Sequence, residues 1–278
     1  MENKDNTKSH WFSNSLSNGV TEFEDQVIDG APPGMWRYKA LYSEAVDGLS
    51  NPELYYDLND LGYRCPPFDT IDNSKMQIIQ LGCSFTFGIG LGEEEHWGHY
   101  LKSAFGEDTS QIWNLAVPGW SNDAIVRTAN DFIHKIKPAV IFVQWTHFNR
   151  REYIKKDNDI HRIVPNHPKY HNDASEAYKG FFGMHNRYYD QYCFEKNLMF
   201  MFNLVRAYNV NFIWEEITNF PGIDMSRDKA HPGPKSNKQF AINMYEQYLN
   251  EAIYEDEREK FMNEFLKKLD EKSTDSGM

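Results

Sequence analysis

The chain has little cysteine. Only Cys65, Cys83 and Cys193 occur in 278 residues, widely spaced and without a C-x-x-C pair. An odd, scattered set of thiols excludes a disulfide framework and favours a reducing compartment. Basic charge is also scarce: 29 Lys and Arg stand against 41 Asp and Glu, a formal net charge of −12. Nucleic-acid partners need clustered cations to neutralise phosphates, so this balance argues against them. No run approaches the roughly 18 apolar residues of a membrane-spanning helix. The opening MENKDNTKSHWFSNS has no apolar core of the kind a secretion signal needs. No internal repeat is visible, which excludes solenoid architectures. The expectation is a soluble protein without a signal peptide, made in the cytoplasm and either staying there or assembled into a larger particle.

Apolar material is ample. Hydrophobic residues are 40% of the chain and aromatics 15%, enough for a sizeable core and for rings lining a cleft. Texture divides the chain. Residues 1–75 are polar and turn-rich, with patches such as IDGAPPGMW and YRCPPF, and read as an irregular N-terminal extension with a short helix around Tyr38 to Val46. Beyond it, short apolar runs alternate with segments of helical spacing. Met76–Leu81, Ile112–Val117, Ala139–Trp145 and Val210–Glu215 read as buried strands. Between and after them, helices are predicted over Glu94–Phe105, Ser121–Ile136 with Ser121 as N-cap, Asn186–Tyr208 and Lys235–Tyr254. Four such alternations imply βαβ units in a mostly parallel sheet covered by helices on both faces. The predicted fold is therefore a three-layer α/β/α domain of the flavodoxin-like kind over residues 76–254. The polar stretch 146–185 is too long for a plain connection and reads as an insertion beside the site. Residues 255–278 read as a charged C-terminal helix and tail.

In open sheets of this kind, functional residues fall just after the C-terminal ends of strands. Three blocks do so here. Gly82-Cys83-Ser84-Phe85-Thr86-Phe87-Gly88 follows the first strand, and a serine in a tight strand-to-helix turn exposes its hydroxyl and offers its backbone N–H to an oxyanion. Taken alone, such a serine is as readily a helix N-cap. Asp228-Lys229-Ala230-His231 follows the fourth strand. A carboxylate three residues before a histidine can fix its tautomer, leaving the imidazole as general base, although by itself Asp-x-x-His is more often a solvated loop. Gly119, in AVPGWSND after the second strand, can present a second oxyanion-stabilising N–H or be a plain turn glycine.

Together, GCSFTFG, AVPGWSND and DKAHPG resemble in order and spacing the conserved blocks of SGNH (GDSL-type) hydrolases, over about residues 76 to 250. The resemblance implies the SGNH hydrolase fold. It also implies Ser84 as nucleophile and first oxyanion donor, Gly119 as second donor, His231 as base and Asp228 as its orienter. Two departures stand out. Cys83 replaces the usual Asp before the serine and is a rival thiol nucleophile. The family's Gly-x-Asn-Asp block is replaced by QWTHFNRRE, so the third donor is either Asn149, two places late, or a residue nearer the expected place, Thr146 or His147. Arg150 and Glu152 either pair across that loop or are solvated.

Other patterns carry less. His96-x-x-His99 and the pair His167 and His171 lack the three or four convergent ligands a metal needs, so no metal is assigned. Gly88-Ile89-Gly90-Leu91-Gly92 lacks Gly-x-Gly-x-x-Gly spacing, so no dinucleotide is assigned, and the chemistry requires no cofactor. The functional expectation is a serine esterase working through an acyl-serine intermediate on a small-molecule or carbohydrate ester, with an O-acetyl group on a carbohydrate favoured by the polar, aromatic insertion. The alternatives are an O-acyltransferase and a non-catalytic carbohydrate-binding module on the same fold.

Overall fold

The computed structural model describes residues 20–26, 35–42, 49, 53–154, 160–163, 180, 183, 186–252 and 267. Its centre is a four-stranded parallel sheet built from β4 (Met76–Leu81), β5 (Ser110–Asn114), β6 (Val140–Trp145) and β9 (Asn211–Glu216), in the order β5-β4-β6-β9. Numbered from its own first strand, that order is 2-1-3-4, the flavodoxin-like winding expected of the sequence. Ile78 pairs with Ile112 on one side and Val140 on the other, and Val140 pairs with Asn211.

Alternation along the strands feeds two separate cores. Ile79, Leu81, Trp113, Ile141, Val143 and Trp145 face α3 (Asn122–Ile136) and α4 (Arg187–Tyr208). Ile78, Val140, Phe142 and Ile213 face α2 (Trp97–Phe105) and α5 (Pro234–Ala252). The β6 strand is buried at every position because it lies inside the sheet with helices on both faces. Truncating one of its large side chains, Phe142→Ala for instance, is expected to cost about 3–5 kcal/mol. Ser121 caps α3 by accepting the Ala124 N–H at 3.2 Å, as its position predicts.

The strand read as Ile112–Val117 is instead Ser110–Asn114. Its pairing stops where the Asn114 side chain takes the Ala116 N–H at 3.2 Å and turns the chain toward Pro118.

The larger correction lies at the N-terminal end. In place of an irregular extension with a helix near Tyr38, the chain forms an antiparallel sheet of β1 (Val20–Gln26), β2 (Trp36–Tyr42) and β3 (Glu53–Leu58). Tyr38, Ala40, Tyr42, Leu54, Tyr56 and Leu58 point inward from β2 and β3 and pack on Phe87, Ile89 and Ala116 of the parallel domain. Arg37 and Lys39 point outward and pair with Asp57 and Glu53 across the strands. This strict period of two makes a strand one-sidedly buried and overrides the turn-rich neighbourhood. Residues 43–46 of the expected helix lie outside the described residues.

Of the expected insertion, β7 (Arg151–Ile154) and β8 (Ile160–Ile163) form an antiparallel pair; most of the stretch after residue 163, with His167 and His171, lies outside the described residues. So does the expected C-terminal helix and tail, apart from Lys267. Among the described residues no helix is long and apolar enough to cross a membrane.

Candidate functional site

The residues singled out from the sequence lie on the segments that follow the strands of the parallel sheet. Ser84 opens α1 (Ser84–Phe87), one turn of helix directly after β4. Thr86 fixes that turn from two sides: its hydroxyl meets Gln144 Oε1 on β6 at 2.8 Å, and its carbonyl accepts from Asn114 Nδ2 on β5 at 2.9 Å. The turn is thus tied to both neighbouring strands, and the Ser84 carbonyl accepts from Gly88 and Ile89, while its hydroxyl is left without a strong partner. The Ser84 hydroxyl has one contact among the described residues, a weak one to Cys83 Sγ at 4.0 Å. Its backbone N–H has no acceptor among them, as befits the first residue of a helix. Gly119 sits in the loop after β5 at φ 79°, a left-handed conformation that a side chain would strain. Its N–H also has no acceptor among the described residues. Two free N–H donors therefore sit on the loops that follow adjacent strands.

Asp228 and His231 lie in the connection between β9 and α5. Asp228 Oδ1 accepts from the Ser226 hydroxyl at 2.6 Å and from the backbone N–H groups of Ala230 and His231 at 3.0 Å each. Its Oδ2 meets His231 Nδ1 at 2.5 Å. Burial pushes the Asp228 carboxyl up, but the hydrogen bond and charge of His231, helped by Ser226 and the Ala230 N–H, outweigh it and hold the group below the usual carboxylate range. An ionised carboxylate only accepts, so Nδ1 carries the proton and Nε2 of the neutral ring keeps its lone pair. Lys229, at φ 56°, makes the reversal that returns the chain onto the carboxylate. The imidazole packs edge to face on Phe85, the residue after Ser84, with ring centroids 5.4 Å apart. Phe85 in turn rests on Phe220, which stacks on Phe240 of α5. His231 is thereby brought to the serine turn, but no hydrogen bond joins Ser84 to His231 in this structure. Such bonds are often long before substrate binds and tighten with it.

The third block behaves differently. The Thr146 N–H is taken by Asn122 Oδ1 at 2.9 Å, Asn122 Nδ2 returns to the Thr146 carbonyl at 3.2 Å, and Arg150 donates to the Thr146 hydroxyl at 2.8 Å. Thr146 is fully buried, so its backbone N–H is committed to structure. Asn149 is half-buried and its amide has no partner among the described residues. It lines a cleft of about 440 Å³ with His147, Arg187, Asp190, Gln191 and Glu216 at the ends of β6 and β9. Arg150 and Glu152 do not pair. Glu152 instead holds Arg127 of α3 through two hydrogen bonds of 3.1 and 2.9 Å. Arg151, which sequence reading passed over, bonds Asp190 at 2.9 Å.

Cys83 is wholly buried while Ser84 keeps 6% exposure, so the thiol is the less accessible of the two. The Gly88–Gly92 run is a structural hub. Arg64 donates to the carbonyls of Phe87, Gly88 and Leu91, and Arg227 reaches Gly90 O and forms a two-pronged pair with Glu95. Arg227 and Glu95 are 132 residues apart, so no local motif signals their meeting. His96 is buried, with Nδ1 accepting from the Gly98 N–H. Among the described residues no three His, Cys, Asp or Glu side chains converge as a metal site.

No family model matches the chain, and no curated protein matches it. Solved structures similar to it include TesA, at 12% identity and a TM-score of 0.34, covering 70% of this chain and 98% of the other. Another is the psychrotrophic esterase EstA from Pseudoalteromonas sp., at 13% identity and a TM-score of 0.36, covering 63% and 98%. A GDSL-like lipase from Bacteroides thetaiotaomicron matches at 11% identity and a TM-score of 0.30, covering 64% and 89%.

Proposed function

We propose that the chain is a serine hydrolase of the SGNH type that cleaves an ester through an acyl-serine intermediate. What carries the reading is the Asp228 carboxylate, bonded to His231 Nδ1 at 2.5 Å beside the turn that begins with Ser84. This arrangement leaves Nε2 as the general base for a serine hydroxyl that has no strong partner of its own.

In the reaction, Ser84 Oγ attacks the ester carbonyl carbon and its proton passes to His231 Nε2. The negative carbonyl oxygen is held by the N–H groups of Ser84 and Gly119, with Asn149 as third donor. Asp228 stabilises the imidazolium by charge and by the Nδ1 hydrogen bond. The imidazolium then protonates the leaving alcohol. Water, deprotonated by His231, attacks the acyl-serine, and collapse releases the acid and restores Ser84.

The substrate we favour is an O-acetyl or other short acyl ester of a hydroxylated, carbohydrate-like alcohol. The cleft beside β6 and β9 sets hydrogen-bonding groups such as Asn149, Asp190 and Gln191 beside the apolar surfaces of Phe148 and Ile217, a mixture that suits a hydroxylated alcohol carrying a short acyl group. A non-catalytic module is the second reading, favoured by the missing Ser84–His231 hydrogen bond. Hydrolysis of p-nitrophenyl acetate and butyrate by the wild type and Ser84→Ala separates the two. The hydrolase reading expects turnover, faster on acetate, that is lost in the variant. Equal background rates in both proteins would leave the non-catalytic module standing.

A further inference from the structure

We propose that the N-terminal antiparallel sheet is a working part of this site, with Tyr56, backed by Tyr42, as a positioning residue that holds the Asp228–His231 pair through the Gly90 loop. The inference rests on the reading that this pair is catalytic.

The connections run through hydrogen bonds and one close packing contact. Tyr56 on β3 is fully buried, and its hydroxyl lies 2.8 Å from that of Tyr42 on β2. The Gly90 N–H donates to Tyr56 Oη at 2.8 Å. On its other side Gly90 presents its carbonyl to Arg227, which donates from Nη1 at 3.1 Å and from its backbone N–H at 3.4 Å. Contact here is direct: a Cβ on Gly90 would lie 2.4 Å from Ser226 Oγ and 3.1 Å from the Arg227 nitrogen. Ser226 is the residue whose hydroxyl donates to Asp228 Oδ1 and whose N–H donates to the His231 carbonyl at 2.8 Å. Two tyrosines, one glycine and one serine thus link the outer sheet to the carboxylate.

The surroundings hold these parts in place. Arg64 lies over the Tyr56 ring at 5.0 Å while bonding the carbonyls that flank Gly90. Glu95 grips both Arg227 and the Gly92 N–H. Burial pushes the Tyr42 and Tyr56 hydroxyls up, with the Asp228 charge a minor addition and the Arg64 charge opposing it at Tyr56, so the pair stays neutral. A neutral hydroxyl that receives a backbone N–H fixes a loop without adding a competing charge beside Asp228.

The test uses proton NMR of the full chain, because a strong imidazole N–H to carboxylate bond gives a far-downfield resonance whether or not the protein turns over a substrate. His231→Gln identifies the resonance by its loss. Tyr56→Phe is compared with Leu54→Ala, which removes packing from the same small core but none of the hydrogen bonds; thermal unfolding checks that each variant folds. The expected result is a resonance displaced or broadened in Tyr56→Phe and unchanged in Leu54→Ala. On p-nitrophenyl acetate, kcat should fall about tenfold with KM unchanged, the scale of one hydrogen bond lost from an ordered network. If Tyr56→Phe does not fold, Tyr42→Phe takes its place, with a smaller displacement expected. A resonance identical to wild type in the folded tyrosine variant overturns the proposal, as does its absence from the wild type. A resonance that responds in a protein without hydrolytic activity sustains the coupling and overturns the hydrolase reading instead.

Discussion

The segment that carries Asp228 and His231 and the turn that carries Ser84 meet at Phe85, yet they are built in opposite ways. In the first, the carboxylate is engaged by Ser226, Ala230 and His231, and the loop is anchored to Gly90 and Glu95 through Arg227. In the second, strands β5 and β6 grip Thr86, two residues beyond the serine, while the Ser84 hydroxyl is held only weakly by Cys83. The difference fits the tasks proposed for the two groups. A general base works only if one tautomer faces one way, which demands fixed partners. A nucleophile must swing between base and carbonyl carbon, and strong hydrogen bonds would oppose that motion.

The contrast can be broken from either side, and the largest effect should come from the chemistry itself. His231→Ala should lower kcat on p-nitrophenyl acetate by at least about 10⁴-fold, since nucleophile and base act as a unit. A steady-state assay at saturating substrate measures it, and adding Ser84→Ala on top should cost little more. Asp228→Asn comes next. It keeps the shape but presents an amide to Nδ1, and a loss of about 10³–10⁴ in kcat is expected from the wrong tautomer. The third block gives a smaller effect: Asn149→Ala should cost about 10²-fold in kcat if its amide is the third oxyanion donor. A change in KM alone would place Asn149 in substrate binding.

Stability provides the mildest test. The folded-state pKa of Asp228 lies below its ordinary value, so the carboxylate stabilises the fold fully above its unfolded pKa of about 4. That contribution is lost as pH falls through the lower folded value. Urea unfolding between pH 5 and pH 3 should therefore show a shallower loss of stability in Asp228→Asn than in the wild type.

The same contrast explains what could be read from the sequence. The buried strands were legible because MQIIQL and AVIFVQW are short apolar runs, and Ser84, Gly119, Asp228 and His231 because each follows such a run. The N-terminal sheet is harder to read, although Tyr38, Ala40 and Tyr42 alternate with Arg37, Lys39 and Leu41 as a half-buried strand should. The Gly- and Pro-rich patches around β2 obscure an alternation that runs for only seven residues. The braces were beyond reach for a different reason. Arg227 with Glu95, Arg127 with Glu152, and Tyr56 with Gly90 are joined only by the way the sheet winds, and spacing along the chain carries no trace of that. Asn149 stands out only by residue type, while the commitment of Thr146 to Asn122 shows only in the fold.

The central claim, that Ser84 is a nucleophile activated by His231, is tested most directly by trapping. A fluorophosphonate ester phosphonylates an activated serine and leaves a mass increment on the intact protein, independent of which ester the enzyme prefers. The account predicts one stoichiometric adduct on the wild type, mapped to the peptide containing Ser84, none on Ser84→Ala, and greatly slowed labelling of His231→Ala. A wild type that takes up no adduct, or one that labels as fast without His231, would contradict it.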